Sequence, residues 1–347
     1  MTGKRANSHD VAKLAGVSRT TVSFILNGVA SVQIPEETRR RVWEAARQLN
    51  YYPDAAARSL ASGKSRVIGL ILCQQADHLA ADLFLPEVLR GITDNAREWD
   101  FRVLLETVAN VSAPDAYLSL ARERQIDGIV ISGPRSDDQQ LGQLVAEGFP
   151  VVLQGRLRGA DIPFVDVDNV AGAKQAVAHL IGLGHQRIGL ITNAPLHYTA
   201  SEDRYRGYRQ ALSDAGLAYD EALMRQGDFV EESGYLAMRE LLGLPNRPSA
   251  IFVASDVVAF GALAAIREQG LRIPQDMAVV GFDDIRLAPY MHPPLTTVHL
   301  PAYELGWQAG DLLLHLIRGE TPMRTEVLLP TELVVRQSCG ARTRQRD

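Results

Sequence analysis

Arg19, Thr20 and Phe24 stand on the outer side of a short predicted helix, and side chains of these types suit the reading of base-pair edges. Arginine can meet the O6 and N7 acceptors of guanine with two parallel hydrogen bonds, and threonine offers a hydroxyl and a methyl. Phenylalanine has no donor, so Phe24 either packs on a thymine methyl or turns toward the core of its own domain. Reactive constellations are missing elsewhere. The chain has no Walker A sequence, no GxSxG elbow and no HExxH metal helix. Gly182-Leu183-Gly184 closes a helical pattern instead of opening one, so it is no dinucleotide fingerprint. The eight histidines are scattered, with His185 reading as a helix-end residue and His292 as a loop residue. Cys73 and Cys339 are too few for a disulfide framework or a tetrahedral zinc site and read as buried, reduced thiols. Neither catalysis nor a cofactor or metal is expected.

The elements that must position Arg19 and its neighbours follow from the pattern around them. Ser8 reads as the cap of a helix with Asp10 in its first turn and Val11, Leu14 and Ala15 on its apolar stripe. Gly16-Val17-Ser18 then breaks that helix and caps another, roughly 19–26, which buries Val22 and Ile25 or Leu26 and leaves Arg19, Thr20, Ser23 and Phe24 outside. Two short helices joined by a Gly-containing turn are the helix-turn-helix signature. A third helix starts at Pro35, with Glu36 and Glu37 against its positive N-terminal dipole and Val42, Ala46 and Leu49 inside.

Charge agrees with that reading. Residues 1–66 carry 11 Lys and Arg against 5 acids, a balance of +6, while the remainder of a chain of net charge −5 is strongly acidic. A basic head on an acidic body suggests a module that faces a polyanion. At 347 residues the chain has room for two or three domains. No apolar run approaches the roughly 18 residues of a membrane span and the start has no signal-peptide core, so a cytoplasmic protein without membrane contact is expected.

The stretches DVAKLAGVSRTTVSFILNG (10–28) and ETRRRVWEAARQLNYYPDAAARSLASGKSRVIGL (37–70) resemble the lactose-repressor/galactose-repressor (LacI/GalR) family of bacterial transcription regulators. The resemblance implies that Ser18, Arg19, Thr20, Thr21, Ser23, Phe24 and Asn27 face operator DNA. It further implies that residues 53–65 are a hinge helix and linker, the helix ordering on DNA beside its dimer mate. There Arg58, Leu60 and Ala61 would meet the minor groove, with Leu60 as the wedge between base pairs. A helix so short does not persist alone in water, and from the residues alone the segment also reads as a flexible tether.

The body alternates short apolar strands with amphipathic helices. Strands are predicted at 67–73, 102–108, 128–133, 149–155, 187–192, 250–254, 277–283 and 296–300, with helical stripes such as PEVLRGITDNARE and AYELGWQAGDLLLHLIRG between them. This implies an α/β class with parallel sheets covered on both faces, two doubly wound sheets fitting better than one. Ligands of such sheets lie at the carboxyl ends of strands, here in a cleft between two lobes. The family resemblance continues through 166–191, 255–285 and 293–298, implying a type I periplasmic-binding-protein-like body. The expected division is 1–52 head, 53–65 hinge, 66–165 with 294–326 as one lobe, and 166–293 with 327–347 as the other.

By the same resemblance Phe84, Arg204, Phe229, Ser255 and Asp283 line the effector cleft. Arg204 would reach the effector with a planar fork that suits vicinal hydroxyls, a carboxylate or a phosphate. Asp283 would accept hydrogen bonds from sugar hydroxyls or ring N–H groups, Phe84 and Phe229 would be aromatic platforms, and Ser255 replaces an asparagine common in the family. Taken singly, each has an ordinary structural role: a surface ion pair for Arg204, core packing for the phenylalanines, a helix cap for Asp283. The function expected is a homodimeric repressor of a palindromic operator, cytoplasmic and nucleoid-associated when bound, and controlled by a small molecule, with a carbohydrate favoured and a nucleobase or nucleoside as alternative. A solute-binding protein of a transport system, or an architectural DNA-binding protein without a ligand, are the competing classes. The chain closes soon after LLPTELVVRQS with no leucine-heptad tail, hence the dimer.

Overall fold

Gly16 adopts a left-handed backbone, φ 65°, at the end of α1 (Ser8–Ala15), and after Val17 and Ser18 the chain starts α2 (Arg19–Leu26). Only glycine takes this conformation without a Cβ penalty, which makes the tight turn possible. The computed structural model describes residues 6–26, 32–52, 63–111, 113 and 115–341, and the chain divides into two compact units, Met1–Arg66 and Val67–Asp347. In the first unit the cap of α1 is Asn7, not the expected Ser8. Its side chain accepts from the His9 and Asp10 amides while Asp10 bonds back to the Asn7 amide. Asparagine satisfies two orphan amides in this reciprocal box, so Ser8 becomes the first helical residue. Ala12, with Val11 and Ala15, forms the buried stripe, and Leu14 is 51% exposed, contrary to the expected apolar set. With α3 (Glu36–Gln48), which buries Val42, Ala45 and Ala46, the helices close a core on Val22, Ile25 and Leu26.

The second unit is built on two parallel sheets. The first contains β1 (Val67–Leu72), β2 (Arg102–Thr107), β3 (Gly128–Ser132), β4 (Val151–Gln154), β5 (Phe164–Val167) and β11 (Glu326–Leu329), in the order β11-β5-β4-β3-β1-β2. The second contains β6 (Ile188–Ile191), β7 (Met224–Arg225), β8 (Ala250–Val253) and β9 (Ala278–Val280), in the order β7-β6-β8-β9. A short antiparallel pair, β10 (Thr297–His299) with β12 (Glu332–Val334), lies where the chain returns between them. All eight predicted strands are present. The prediction missed β5, β7, β11 and β12, because each of FVDV, MR, EVLL and ELV carries a charged residue that interrupts the apolar run. The expected lobe boundaries at 165/166 and 326/327 fall inside β5 and β11, which pair with each other from Phe164 to Val167 within the first sheet.

Burial on both faces explains the near-continuous apolar strands. Along β1 and β3, Ile68, Leu70 and Val130 face one core while Ile71, Ile129 and Ile131 face another. Along β8, Phe252 joins the first of these cores and Ile251 and Val253 enter a third. The covering helices are α4 (Leu85–Glu98), α5 (Leu118–Arg122), α6 (Gln140–Ala146), α7 (Asn169–Gly182), α8 (Thr199–Asp214), α9 (Glu231–Leu242), α10 (Asp256–Glu268) and α11 (Ala302–Ile317). Among the described residues no helix is long and apolar enough to cross a membrane.

Helix α11 returns from the second sheet to pack on α4, and the two backbones meet at glycines. A Cβ at Gly91 would strike the Tyr303 carbonyl and the Trp307 amide, and one at Gly306 would strike the Val88 carbonyl. Because the obstacles are backbone atoms, no side-chain rotation relieves the clash. Gly91→Ala is therefore expected to lower the stability of the body by about 3 kcal/mol, as overpacking does, measured by urea denaturation followed by circular dichroism. A loss below about 0.5 kcal/mol would show that the helices slide apart freely.

Candidate functional site

Phe84, Arg204, Phe229, Ser255 and Asp283 all line one cavity of about 160 Å³, although they come from sequence positions spread over 200 residues. The fold brings them there. Phe84 precedes α4, where Asp82 Oδ1 accepts from the Phe84 and Leu85 amides, both at 2.9 Å. Ser255 is the residue before α10, and Asp283 follows β9. Arg204 sits in the second turn of α8 and is 7% exposed. Phe229 takes φ 61°, donates its amide to the Asn193 carbonyl at 2.7 Å, and sets its ring edge-on against Tyr198 at 4.9 Å. Left-handed conformations of phenylalanine are strained and cluster at functional sites.

A relay of buried hydrogen bonds holds Arg204. Asp166, at the end of β5, accepts from Asn169 Nδ2 at 3.0 Å and from the Val167 amide at 2.7 Å. Asn169 Oδ1 accepts from Arg204 Nε at 2.9 Å, and Arg204 Nη1 donates to the Ala254 carbonyl at 2.7 Å and to Asp283 Oδ1 at 3.2 Å. The guanidinium carbon lies 4.0 Å from the centre of the Phe282 ring. The sequence suggests a whole arginine fork open to the effector. The structure instead engages Nε and Nη1 within the protein and leaves Nη2 without a protein acceptor among the described residues. Asp283 has φ 114°, and the Ser255 side chain favours its charged form, against the raising effect of burial.

The electrostatics are lopsided. Burial pushes the Asp283 carboxyl up to about 6, although Arg204 opposes the shift, and pushes Asp166 up to about 7. Asp82 is also raised by burial, and so, well above the ordinary range, is Asp256, which accepts from Thr297 Oγ1 at 2.6 Å and the Ile285 amide at 3.0 Å. Burial depresses the Arg204 guanidinium. Three of these carboxyls, Asp82, Asp166 and Asp283, line the cavity beside one cation, Arg204, that is already coordinated. Such a cavity favours a neutral ligand rich in donors and disfavours an anion.

The cavity floor is tied across the two sheets. Tyr198 Oη donates to the Cys73 carbonyl at 2.6 Å, the Thr199 amide to the Pro134 carbonyl at 3.1 Å, and the Ser136 amide to the His197 carbonyl at 2.9 Å. Arg158, after β4, pairs with Glu202 at 2.8 Å and with Asp203, beside Arg204 on α8. The sequence reading missed Asp82, Gln154, Asp166, Asn169, Asn193 and Tyr198, all of which line the cavity. Asp166 and Asn169 stand in the DVDN stretch that carries the family resemblance, and that stretch was their only signal. Gln154, which lines the cavity, has a buried Oε1 with no partner among the described residues. Cys73 and Cys339 are free and buried, and burial raises the Cys73 thiol to about 12.

In the first unit, Ser18, Arg19, Thr20 and Ser23 are exposed along one side of α2, while Thr21 and Phe24 are half-buried. Ser18 Oγ accepts from the Thr21 amide at 3.0 Å and bonds the Thr21 hydroxyl at 2.9 Å, so it caps α2 as expected. Among the described residues Phe24 is not part of the small head core. Asn27, Arg58, Leu60 and Ala61 lie outside the described residues, as does most of the 53–65 hinge.

A helix-turn-helix unit joined to a doubly wound body with a cavity walled by aromatic side chains and a few convergent polar groups defines a class: regulators with a DNA-reading head and a small-molecule-binding body. The family models agree with both halves. Residues 9–54 match the bacterial regulatory proteins, lacI family, and residues 177–339 match the periplasmic binding protein-like domain. The chain is 36% identical over 338 residues to the HTH-type transcriptional regulator CelR of Thermobifida fusca, covering 96% of this chain and 98% of the relative. It is 33% identical over 338 residues to the HTH-type transcriptional repressor PurR of Aliivibrio salmonicida, covering 96% and 98%. Among solved structures, a CelR–cellobiose complex matches with TM-score 0.73 at 35% identity, over 96% of this chain and all 100% of that one. The lac repressor dimer bound to operator and the anti-inducer ONPF matches with TM-score 0.86 at 29% identity, over 97% and 100%. This chain belongs to the lacI family of bacterial regulatory proteins; it is a DNA-binding transcription regulator and not an enzyme.

Proposed function

We propose that this regulator represses transcription from a palindromic operator as a cytoplasmic homodimer, and that a sugar entering the cavity at Arg204 and Asp283 resets its operator affinity. The observation that carries the effector class is the excess of buried carboxyls over a single, already coordinated cation. Sugar hydroxyls supply donors to those acceptors and accept from Arg204 Nη2. An aromatic wall suits the apolar face of a pyranose. The similarity to a CelR–cellobiose complex supports the same class. A nucleobase is the second reading, because the edge-paired Phe229 and Tyr198 rings offer a stacking surface and PurR repressors are among the relatives.

Effector bound between the two sheets would favour one relative arrangement of them and thereby shift the population of DNA-competent dimers. A coupling of about 1–3 kcal/mol changes operator affinity some 5–150-fold. The test is a mobility shift of the full chain on its own upstream region, titrated with a sugar panel and, separately, with purine bases. A shift that responds to a sugar supports the proposal. A response confined to purines replaces it with the second reading, and retarded DNA that ignores both classes rejects effector control by either.

Within the same proposal Arg19 and Thr20 read base edges, with Ser18, Thr21, Ser23, Phe24 and Asn27 alongside, while Arg58, Leu60 and Ala61 meet the minor groove and Leu60 unstacks a base step. Leu60→Ala is expected to weaken operator binding at least tenfold in that assay while leaving sugar binding unchanged, because the wedge touches only DNA. Unchanged operator affinity at moderate salt would remove Leu60 from the interface.

A further inference from the structure

We propose that Arg158 is a positioning residue of the regulatory transition: from the first sheet it grips the start of α8 on the second, and so holds the two sheets together without help from an effector. The grip asks nothing of the ligand's chemistry. Its link to operator binding rests on the coupling between sheet arrangement and DNA competence proposed above.

Arg158 moves with the first sheet. It stands in the loop between β4 and β5, where the Gly155 amide donates to the Val165 carbonyl and the Leu153 amide to the Pro163 carbonyl, both at 2.9 Å. The neighbouring Arg156 guanidinium lies 5.4 Å from the centre of the Phe164 ring on β5. The targets of Arg158 move with the second sheet, because Tyr208 of α8 donates its hydroxyl to the Ile188 carbonyl of β6 at 2.8 Å. Across that boundary Arg158 Nη2 meets Glu202 Oε2 at 2.8 Å, and Nη1 donates to Asp203 Oδ1. Arg206 Nη1, one turn along α8, donates to the same Asp203 oxygen at 3.2 Å. An isolated surface ion pair contributes little. Here one planar fork spans two carboxylates, and Asp203 is 8% exposed, so salt screens its side of the network less.

A main-chain clasp seizes the same turns of helix. The bonds from the Thr199 amide to the Pro134 carbonyl and from the Ser136 amide to the His197 carbonyl flank an antiparallel bridge between Arg135 and Tyr198. The two grips adjoin. A Cβ at Gly155 would lie 2.7 Å from Pro134 Cδ, so the bare backbone after β4 is what lets Pro134 seat there. Thr199, Glu202 and Asp203 are thus all held by the first sheet, and Arg204 of the cavity is the next residue on the helix. Turning one sheet against the other therefore has to break the Arg158 pairs, and they supply part of the cost of the transition.

The test is hydrogen exchange of the full-length protein without effector, read by mass spectrometry. Ser136 and Thr199 donate their amides across the boundary, so their exchange reports separation of the sheets. Arg158→Met is expected to speed exchange at both by about tenfold, with Ala250–Val253 in β8 exchanging as in the parent. Glu202→Gln/Asp203→Asn should loosen the same two amides. Adding Arg158→Met to that pair should change nothing further, because groups that act through one another are not additive. In a mobility shift on the upstream region without effector, Arg158→Met should alter operator affinity by about fivefold or more. Exchange at Ser136 and Thr199 that is unchanged in Arg158→Met, or already unprotected in the parent, overturns the grip. Additive loosening in the combined variant overturns it too, as does acceleration that extends equally to β8, which would make Arg158 a general stabiliser of the fold. Faster exchange with unaltered operator affinity leaves the grip standing and overturns its link to DNA.

Discussion

Arg204→Met should destabilise the body by about 3–5 kcal/mol and reduce effector affinity by at least 100-fold. The guanidinium is buried and engages Asn169 Oδ1, the Ala254 carbonyl and Asp283, so a neutral side chain leaves two neutral acceptors and one carboxylate without their donor in a low-dielectric interior. Breaking a buried pair by removing one partner typically costs that much, because the remaining charge stays uncompensated. The second variant separates stability from recognition. In Arg204→Met/Asp283→Asn no charge is left unpaired at that spot, and about half of the lost stability should return, while effector binding should remain lost. Chemical denaturation of the full-length protein measures the first quantity, and calorimetry with the responding sugar measures the second. A single variant within 1 kcal/mol of the parent would show that Arg204 is not the centre of the buried relay.

The next largest effect is expected from pH acting on Asp166. Its carboxyl is raised to about 7 chiefly by burial, against the lowering influence of the Val167 amide, Arg204 and Asn169. In the unfolded chain an aspartate titrates near 3.9. The folded state therefore holds this proton more tightly, so the associated stabilisation is complete below about pH 4 and is lost as pH rises through about 7. Three units correspond to a loss on the order of 4 kcal/mol between those limits. Asp283, raised to about 6, acts in the same direction over a narrower window. Asp166→Asn keeps an oxygen to accept from the Val167 amide and from Asn169 and carries no charge at any pH. The variant should come within about 1 kcal/mol of the parent at pH 4.5 and exceed it in stability at pH 8, by roughly 2–4 kcal/mol, in urea denaturation at a series of pH values. Parallel stability curves for the two proteins from pH 4.5 to 8 would contradict a raised Asp166. Opposing contributions, such as Asp276 held down at about 2 by Arg272, cancel in this comparison because both proteins share them.

What the amino-acid sequence determined by itself is local or periodic. Gly16 between two short apolar stripes specifies the turn of the head, since only a residue without a Cβ enters the left-handed region freely. Apolar runs of five or six residues such as VIGLIL specify buried parallel strands, and all eight predicted strands are there. The cavity residues Phe84, Arg204, Phe229, Ser255 and Asp283 were legible only through motifs matched to a family, because each residue type alone has a commoner structural use. That they share one cavity wall is a fact of the fold.

Three-dimensional geometry decided the rest. Asn7 displaced Ser8 as a cap because a reciprocal bond with Asp10 satisfies two amides, a choice made by geometry between neighbouring residues of equal promise. β5 and β11 are interrupted by Asp166 and Glu326 and do not announce themselves, and they are strands because they pair with each other and β5 with β4. The chemical character of the cavity was hidden for the same reason. An arginine and an aspartate in a sequence carry their ordinary charges. Arg204 becomes a coordinated cation, and Asp166 and Asp283 become reluctant acids, only when the fold removes water from around them. Desolvation and partner distance are properties of three-dimensional surroundings, and these set both the ligand the cavity accepts and the pH at which the body is most stable.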